Sequence, residues 1–216
     1  MTETVEIAPR LSQSPTERAR LEQRARLLAW GGNAWHLVEF AIAIGAGLAA
    51  GSIALIGFGF DSLVEALAGF VIIWLFSGGR GASAASETRA TRLIAVFYFV
   101  LAAYIAVESV RDLLGGHHPE ASWVGIGLAL VTAPTMPLLA RAKRNVGREL
   151  GSHATTSEAQ QNMICAYLSI ALLVGLGANA LFGWWWADPA AALVIAAVAL
   201  REGRETWRGE LCCDAC

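Results

Sequence analysis

Long apolar stretches, each nearly free of charged side chains, follow one another along this chain and limit what it can fold into. One helical crossing of a bilayer needs about 20 such residues. Because lipid offers the backbone no hydrogen bonds, a spanning chain must form helices or a closed barrel. The predicted fold class is all-α, a polytopic membrane protein with six transmembrane helices at Trp30–Ala49, Ile53–Phe76, Leu93–Leu113, Ala121–Ala140, Ala159–Leu181 and Trp184–Leu200.

The composition of the chain also suits lipid better than water. Of its 216 residues, 56% are hydrophobic and 16% are charged, which is more apolar surface than one soluble domain can bury. The 16 basic and 18 acidic residues nearly balance. We therefore expect no basic patch for nucleic acid.

The basic residues predict the orientation. Of the 16 lysines and arginines, only Arg111 falls on the side opposite the termini. By the positive-inside rule both termini are cytoplasmic. The chain then divides into a cytoplasmic N-terminal amphipathic helix (1–29), a six-helix transmembrane domain (30–200) and a short cytoplasmic tail with cysteines (201–216). The predicted location is the cell membrane of a bacterium.

Three local signals concern the helix ends. Ser14, Pro15 and Glu17 read as a capping box with proline in the first turn, so a helix should begin there and run into span one. Pro134 and Pro137 either bend span four or end a shorter helix. Asp188, directly before a proline, is predicted to cap the start of span six.

Span two contains two acidic residues, Asp61 and Glu65, spaced four apart on one helix face. Each carboxylate costs roughly 2.5 to 3.5 kcal/mol at the centre of a bilayer. No lysine or arginine lies within the body of any predicted span, since Arg111 is near the end of span three. A proton, a bound cation or His36 must therefore neutralise the pair, and a cation site is the favoured interpretation. The alternative is two protonated acids that form hydrogen bonds between helices.

Spans one and five add further polar residues. Glu39 is a third carboxylate within a predicted span and carries the same cost of burial in lipid. We expect it to accept protons or serve as an auxiliary ligand. His36, three residues earlier, fits a packing residue more readily than a ligand, and both roles stay open. Gln161 and Cys165 have helical spacing in span five, and oxygen with thiolate suits zinc. Taken alone, Cys165 also fits an ordinary buried position.

The run from Gly51 to Glu65, GSIALIGFGFDSLVE, resembles the second span of the cation diffusion facilitator family, where an acid-x-x-x-acid pair follows small apolar residues. Its Phe-Gly-Phe before Asp61 is most similar to a divergent branch of that family. The segment from Gly183 to Pro189, GWWWADP, resembles the start of the sixth span. With the six-span pattern, the likeness covers Trp30 to Gly209.

This resemblance implies efflux of a metal ion from the cytosol in exchange for protons, by alternating access in a homodimer. It also implies a metal site between spans two and five, at positions that here are Asp61, Glu65, Gln161 and Cys165. The family usually has histidine-x-x-x-aspartate in span five, so Gln161 and Cys165 depart from its pattern. A thiolate there favours zinc or a softer ion.

A second departure lies after span six, where most members carry a cytoplasmic domain that helps to dimerise them. This chain has only residues 201–216 there, so we expect a homodimer to rest on membrane helices. Cys212, Cys213 and Cys216 either capture a metal ion or belong to a disordered tail.

We predict a secondary transporter that exports a divalent metal cation, zinc being the first candidate, with Asp61, Glu65, Cys165, Gln161 and Glu39 as the metal-site residues. The metal is the substrate, and no cofactor is expected. The alternative is a membrane protein that holds the ion as a sensor, or binds a partner, without transport. No nucleophile with its base, phosphate loop or histidine pair at ligand spacing indicates an enzyme.

Overall fold

A computed structural model describes residues 14–76, 84–115 and 118–208. These residues form six α-helices and no strand, so the all-α prediction is confirmed. The helices are α1 (Pro15–Ala50), α2 (Ile53–Phe76), α3 (Ala84–Gly115), α4 (Trp123–Leu150), α5 (His153–Phe182) and α6 (Ala187–Arg208).

Each predicted span corresponds to one helix, although α4 begins at Trp123 and α6 at Ala187, later than predicted, and several helices extend beyond the span. Among the described residues, four segments are long and apolar enough to cross a bilayer, namely Pro15–Ala50, Arg92–Gly115, Trp123–Leu150 and Glu158–Phe182. Helices α2 and α6, with 24 and 22 residues, pack among them. The chain is a multi-pass membrane protein. Cys212, Cys213 and Cys216 lie outside the described residues.

The helix ends follow the local sequence. Ser14 forms the predicted capping box with Glu17, and α1 continues from there to Ala50 without interruption. Three glycines in left-handed conformation, at φ 63° to 67°, stand just beyond α1, α4 and α5. Other residues rarely adopt this conformation. The tight turns at Gly51 and Gly151 join α1 to α2 and α4 to α5 as helical hairpins.

Helix α2 lies at the centre of the bundle. The most extensive packing joins α1 with α2, α4 with α5, and α3 with α6, and α2 also contacts α3, α5 and α6. The apolar core between the helices includes Leu55 and Phe58 of α2, Ile105 of α3, Leu172 of α5 and Ile195 of α6, which are all fully buried. Polar side chains on α2 are therefore enclosed by other helices.

The course of α4 and the contacts of Asp188 test two predictions made from the sequence. Helix α4 continues through Pro134 and Pro137 to Leu150, so the prolines do not end it. The prediction for Asp188 is wrong. Its carboxylate accepts hydrogen bonds from the Ser52 hydroxyl and from the Ala54 N–H at 3.3 Å. Asp188 therefore caps α2, because the first turn of α6 packs against the start of α2.

Candidate metal site

Three metal-ligating side chains converge inside the bundle from three different helices. They are His36 of α1, Glu65 of α2 and Cys165 of α5, and all three are buried. One ligand atom from each side chain lies within 4.8 Å of the other two. We call these residues the buried triad. Their nitrogen, oxygen and sulfur atoms form a donor set typical of zinc sites.

His36 lies between two carboxylates. Its Nδ1 is 3.0 Å from Oε2 of Glu39 and 3.2 Å from Oε2 of Glu65. Only the contact with Glu39 has hydrogen-bond geometry, and Oε2 of Glu65 is left buried without a hydrogen-bond partner. The Cys165 thiol also lies within 4.8 Å of the ligand atoms of Glu65 and His36. An unpaired carboxylate oxygen thus faces a histidine and a thiol.

Asn162 holds the other nitrogen of His36. Its Nδ2 lies 3.1 Å from Nε2 of His36 and 3.4 Å from Sδ of Met136. An amide nitrogen donates, so Nε2 accepts and the proton of a neutral ring lies on Nδ1, in agreement with the contact to Glu39. This assignment is inferred from the hydrogen-bond network. The hydrogen bonds of Asn162 and Glu39 fix the orientation of the ring.

Glu39 is fully buried, and both of its carboxylate oxygens have partners. One oxygen contacts His36, and the other accepts a hydrogen bond from the Thr132 hydroxyl of α4. The structure therefore places Glu39 beside the triad, where it orients His36.

Asp61 and Gln161 lie outside the triad. Asp61 is only 3% exposed, its Oδ2 is buried without a hydrogen-bond partner, and it lies one helical turn from Glu65. Gln161 is half-buried, and Asn162, the next residue on α5, contacts His36 instead. Neither Asp61 nor Glu65 faces bulk water, because Glu65 is also only 6% exposed.

A buried lysine lies near this site. Lys143 of α4 is 1% exposed, and its Nζ is 2.6 Å from Oε1 of Glu158 on α5. The sequence assigned Lys143 to a cytoplasmic segment after span four, whereas α4 continues for ten residues beyond Ala140. Its ion pair is with Glu158, so the positive charge is already matched. Asp61 and Glu65 form no ion pair with a lysine or arginine in the described part of the chain.

Sequence reasoning undervalued His36 and passed over Asn162. The signal was present in the spacing, since His36 precedes Glu39 by three residues and Asn162 precedes Cys165 by three. Each pair therefore shares a helix face. The sequence does not reveal which faces of α1 and α5 turn towards α2. That knowledge needs the packing of the helices.

Comparisons with known proteins fit this geometry. Residues 34–209 match the cation efflux transmembrane domain, and this stretch includes the whole triad. A relative described as an uncharacterized transporter of Synechocystis sp. is 25% identical over 183 residues. The alignment covers 81% of this chain and 58% of the relative, so the chain spans less than two thirds of that protein.

Proposed function

The chain belongs to the cation efflux family, whose transmembrane domain it matches over residues 34–209, and on that premise we propose that it transports a divalent metal cation, zinc being the first candidate. The resemblance seen in the sequence is thereby confirmed at the level of the family. The relative in Synechocystis sp. is itself described as a transporter, which supports the same activity here.

The convergence of His36, Glu65 and Cys165 is the observation that carries this proposal. Zinc takes four tetrahedral ligands at about 2.0 to 2.3 Å, so its ligand atoms lie roughly 3.5 Å apart. The triad atoms lie within 4.8 Å of one another, so shifts of about 1 Å would close the group on an ion. Asp61, one turn away with an unpaired oxygen, is the proposed fourth ligand.

The other predicted residues take supporting roles in this proposal. Glu39 orients His36 and can accept a proton from it, and Gln161 stays an auxiliary oxygen ligand that a small rotation of α5 would bring closer. The ligands must be deprotonated to bind a metal ion. Loading therefore releases protons, and unloading takes them up again, so we propose exchange of the metal for protons.

The proposed orientation of the chain in the membrane rests on the charges. By the predicted spans, fifteen of the 16 lysines and arginines fall on the side where α1 begins and α6 ends, which we call the terminal end. The positive-inside rule favours the cytosol on that side. We propose that the protein is no enzyme and works as a homodimer through its membrane helices. We further propose that it exports the cation from the cytosol across the cell membrane of a bacterium.

Zinc uptake by proteoliposomes tests the proposal. Purified protein is reconstituted with a fluorescent zinc reporter inside the vesicles, and zinc is added outside under an imposed pH gradient. We expect the parent protein to accumulate zinc beyond its own binding capacity, and the Glu65→Gln variant, which keeps the shape but loses the charge, to fail. Glu108→Gln, at an exposed ion pair with Arg111, is the matched control.

A protein that only senses the metal gives a different result. It binds zinc in a fixed ratio to protein, and the fluorescence of the reporter inside the vesicles does not change, whatever the pH gradient. That outcome, with stoichiometric binding in an isothermal titration, would refute transport and favour the sensor.

A further inference from the structure

Glu202 is a buried carboxyl that the triad does not use. It lies near the end of α6, is 8% exposed, and its Oε1 is buried without a hydrogen-bond partner. Burial, with a smaller contribution from Glu205, raises the pKa of Glu202 to about 7. The neighbouring Arg201 forms an ion pair with Glu205 at 2.7 Å, and its positive charge partly offsets the effect of burial on Glu202. Removing an unpaired carboxyl from water is costly unless some ligand compensates it.

The packing of α6 directs Glu202 towards α2. Ala199, one turn before Glu202, packs in one cluster with Val64 of α2 and Tyr98 of α3. Gly203, the next residue, lies so close to α3 that a β-carbon there would meet the side chains of Tyr98 and Phe99 at 3.1 Å. Glu202 therefore lies in the seam of the three helices, one turn nearer the terminal end than the Val64 cluster.

Asp61 lies on the other side of the same cluster. It precedes Val64 by three residues, which is one helical turn on α2. Asp61 and Glu202 each have a buried carboxylate oxygen without a hydrogen-bond partner. Thr206, four residues after Glu202 on the same face of α6, is also buried. Glu65 directly follows Val64 in the chain, so along the axis of α2 it lies between the level of Glu202 and that of Asp61.

We propose that Glu202 is a loading ligand, which binds a divalent cation arriving from the terminal end and passes it to Glu65 of the triad. This inference rests on the proposed transport function and adds a second binding position to it. The position offers only oxygen ligands, so it binds zinc weakly and exchanges it fast, whereas the triad with its nitrogen and sulfur holds the ion. A weak ligand near the entrance raises the rate at which the ion is captured without raising the affinity of the triad.

The matched pair Glu202→Gln and Glu205→Gln tests this inference. Both variants lose one carboxylate from the same helix, but Glu205 belongs to the Arg201 ion pair. The initial rate of zinc uptake by proteoliposomes is measured at zinc concentrations below saturation, and zinc binding at equilibrium is measured by isothermal titration. A cleft lined by charges of one sign raises the association rate of an oppositely charged ion by about tenfold or more. We expect Glu202→Gln to lower the initial rate by about that factor, with triad affinity unchanged within about twofold, and Glu205→Gln to match the parent protein.

The outcomes separate this inference from the proposed function. If the parent accumulates zinc and Glu202→Gln does so at the same rate, the loading role is wrong and transport stands. If affinity falls in step with the rate, Glu202 acts on the triad itself and the loading role is again wrong. If the parent accumulates no zinc, the transport proposal fails first. Glu202→Asp, which keeps a carboxylate, should recover most of the rate in a folded protein, and its failure to do so would contradict a ligand role.

Discussion

Cys165 supplies the softest donor atom of the triad, and it occupies a position where the family usually has an aspartate. The thiol is fully buried and interacts with Glu65. Sulfur ligands favour zinc and softer ions over manganese and magnesium, which prefer oxygen. The choice of this residue therefore bears on which metal is carried.

We predict that Cys165→Ser weakens zinc binding by more than about tenfold, the lower bound for losing even an outer partner of a metal ligand. Cadmium should lose more affinity than zinc, and manganese least, because only the sulfur is removed. Isothermal titration with the three ions measures this ranking. Ser169→Ala removes a buried hydroxyl one turn away on α5 and is the control. An equal loss for all three ions would contradict a ligand role for the thiol.

Asn162 acts on the metal through His36. If the metal binds Nδ1 of His36, the ring proton lies on Nε2, and the Asn162 amide can turn its oxygen, which is buried without a partner, to accept it. Losing such an outer partner costs about 10- to 100-fold in metal affinity. We predict that Asn162→Ala lowers zinc affinity by a factor in this range, measured by isothermal titration. Asn33→Ala is the matched control, because Asn33 is equally buried, lies one turn before His36, and has no hydrogen-bond partner. Equal effects of both changes would show that Asn162 merely fills space.

At the scale of the helices, close packing of α5 on α6 depends on one glycine. A β-carbon at Gly175 would lie 2.7 Å from Cβ of Ala191 and 3.0 Å from the carbonyl oxygen of Ala187. The Ala187 oxygen belongs to the backbone, so it cannot rotate away. The helix that carries Cys165 and the helix that carries Glu202 therefore pack closely because Gly175 has no side chain.

We predict that Gly175→Ala destabilises the protein by about 1 to 3 kcal/mol, the usual cost of overpacking. Gly177→Ala is the control two residues away, because a β-carbon there meets nothing within 4 Å. It should be neutral or stabilise by up to about 1 kcal/mol, the gain in helix propensity. Thermal unfolding in detergent, followed by tryptophan fluorescence, ranks the two variants. If Gly177→Ala melted first, the proposed contact would not limit stability.

The sequence was sufficient to predict the helices and the start of α1, but not every helix end or the sides of the helices that face one another. The spans were predictable because hydrocarbon requires helices and a minimum length. The end of α4 was not predictable, because Arg141, Lys143 and Arg144 look like a cytoplasmic segment that follows the span. In the structure they belong to α4, and Lys143 pairs with Glu158. Glu65 was predicted from the energetic cost of a charge in lipid. The place of His36 beside it depends on how α1 packs against α2.

At the scale of the whole molecule, the two ends of the bundle differ. At the end opposite the termini, Asp188 of α6 caps α2 through Ser52 and Ala54, which ties these helices together. Towards the terminal end, α2 and α6 instead present Glu65 and Glu202 with unpaired oxygens. Helices joined firmly at one end can separate more easily at the other. This asymmetry suits a site that opens first to the terminal end.

The charge of the empty bundle leads to a last prediction. Glu39, Asp61, Glu65 and Cys165 cannot all stay ionised in hydrocarbon once the metal ion has left, so protons must replace it. If Glu65 and Cys165 both lose a proton on loading, about two protons move against each zinc ion. We therefore expect zinc entry into proteoliposomes to drive proton exit in that ratio, measured with an interior pH dye beside the zinc reporter. Cys165→Ser should lower the ratio towards one, because a serine hydroxyl keeps its proton, while Ser169→Ala should not. Zinc accumulation at an unchanged interior pH would refute proton exchange and leave a uniporter.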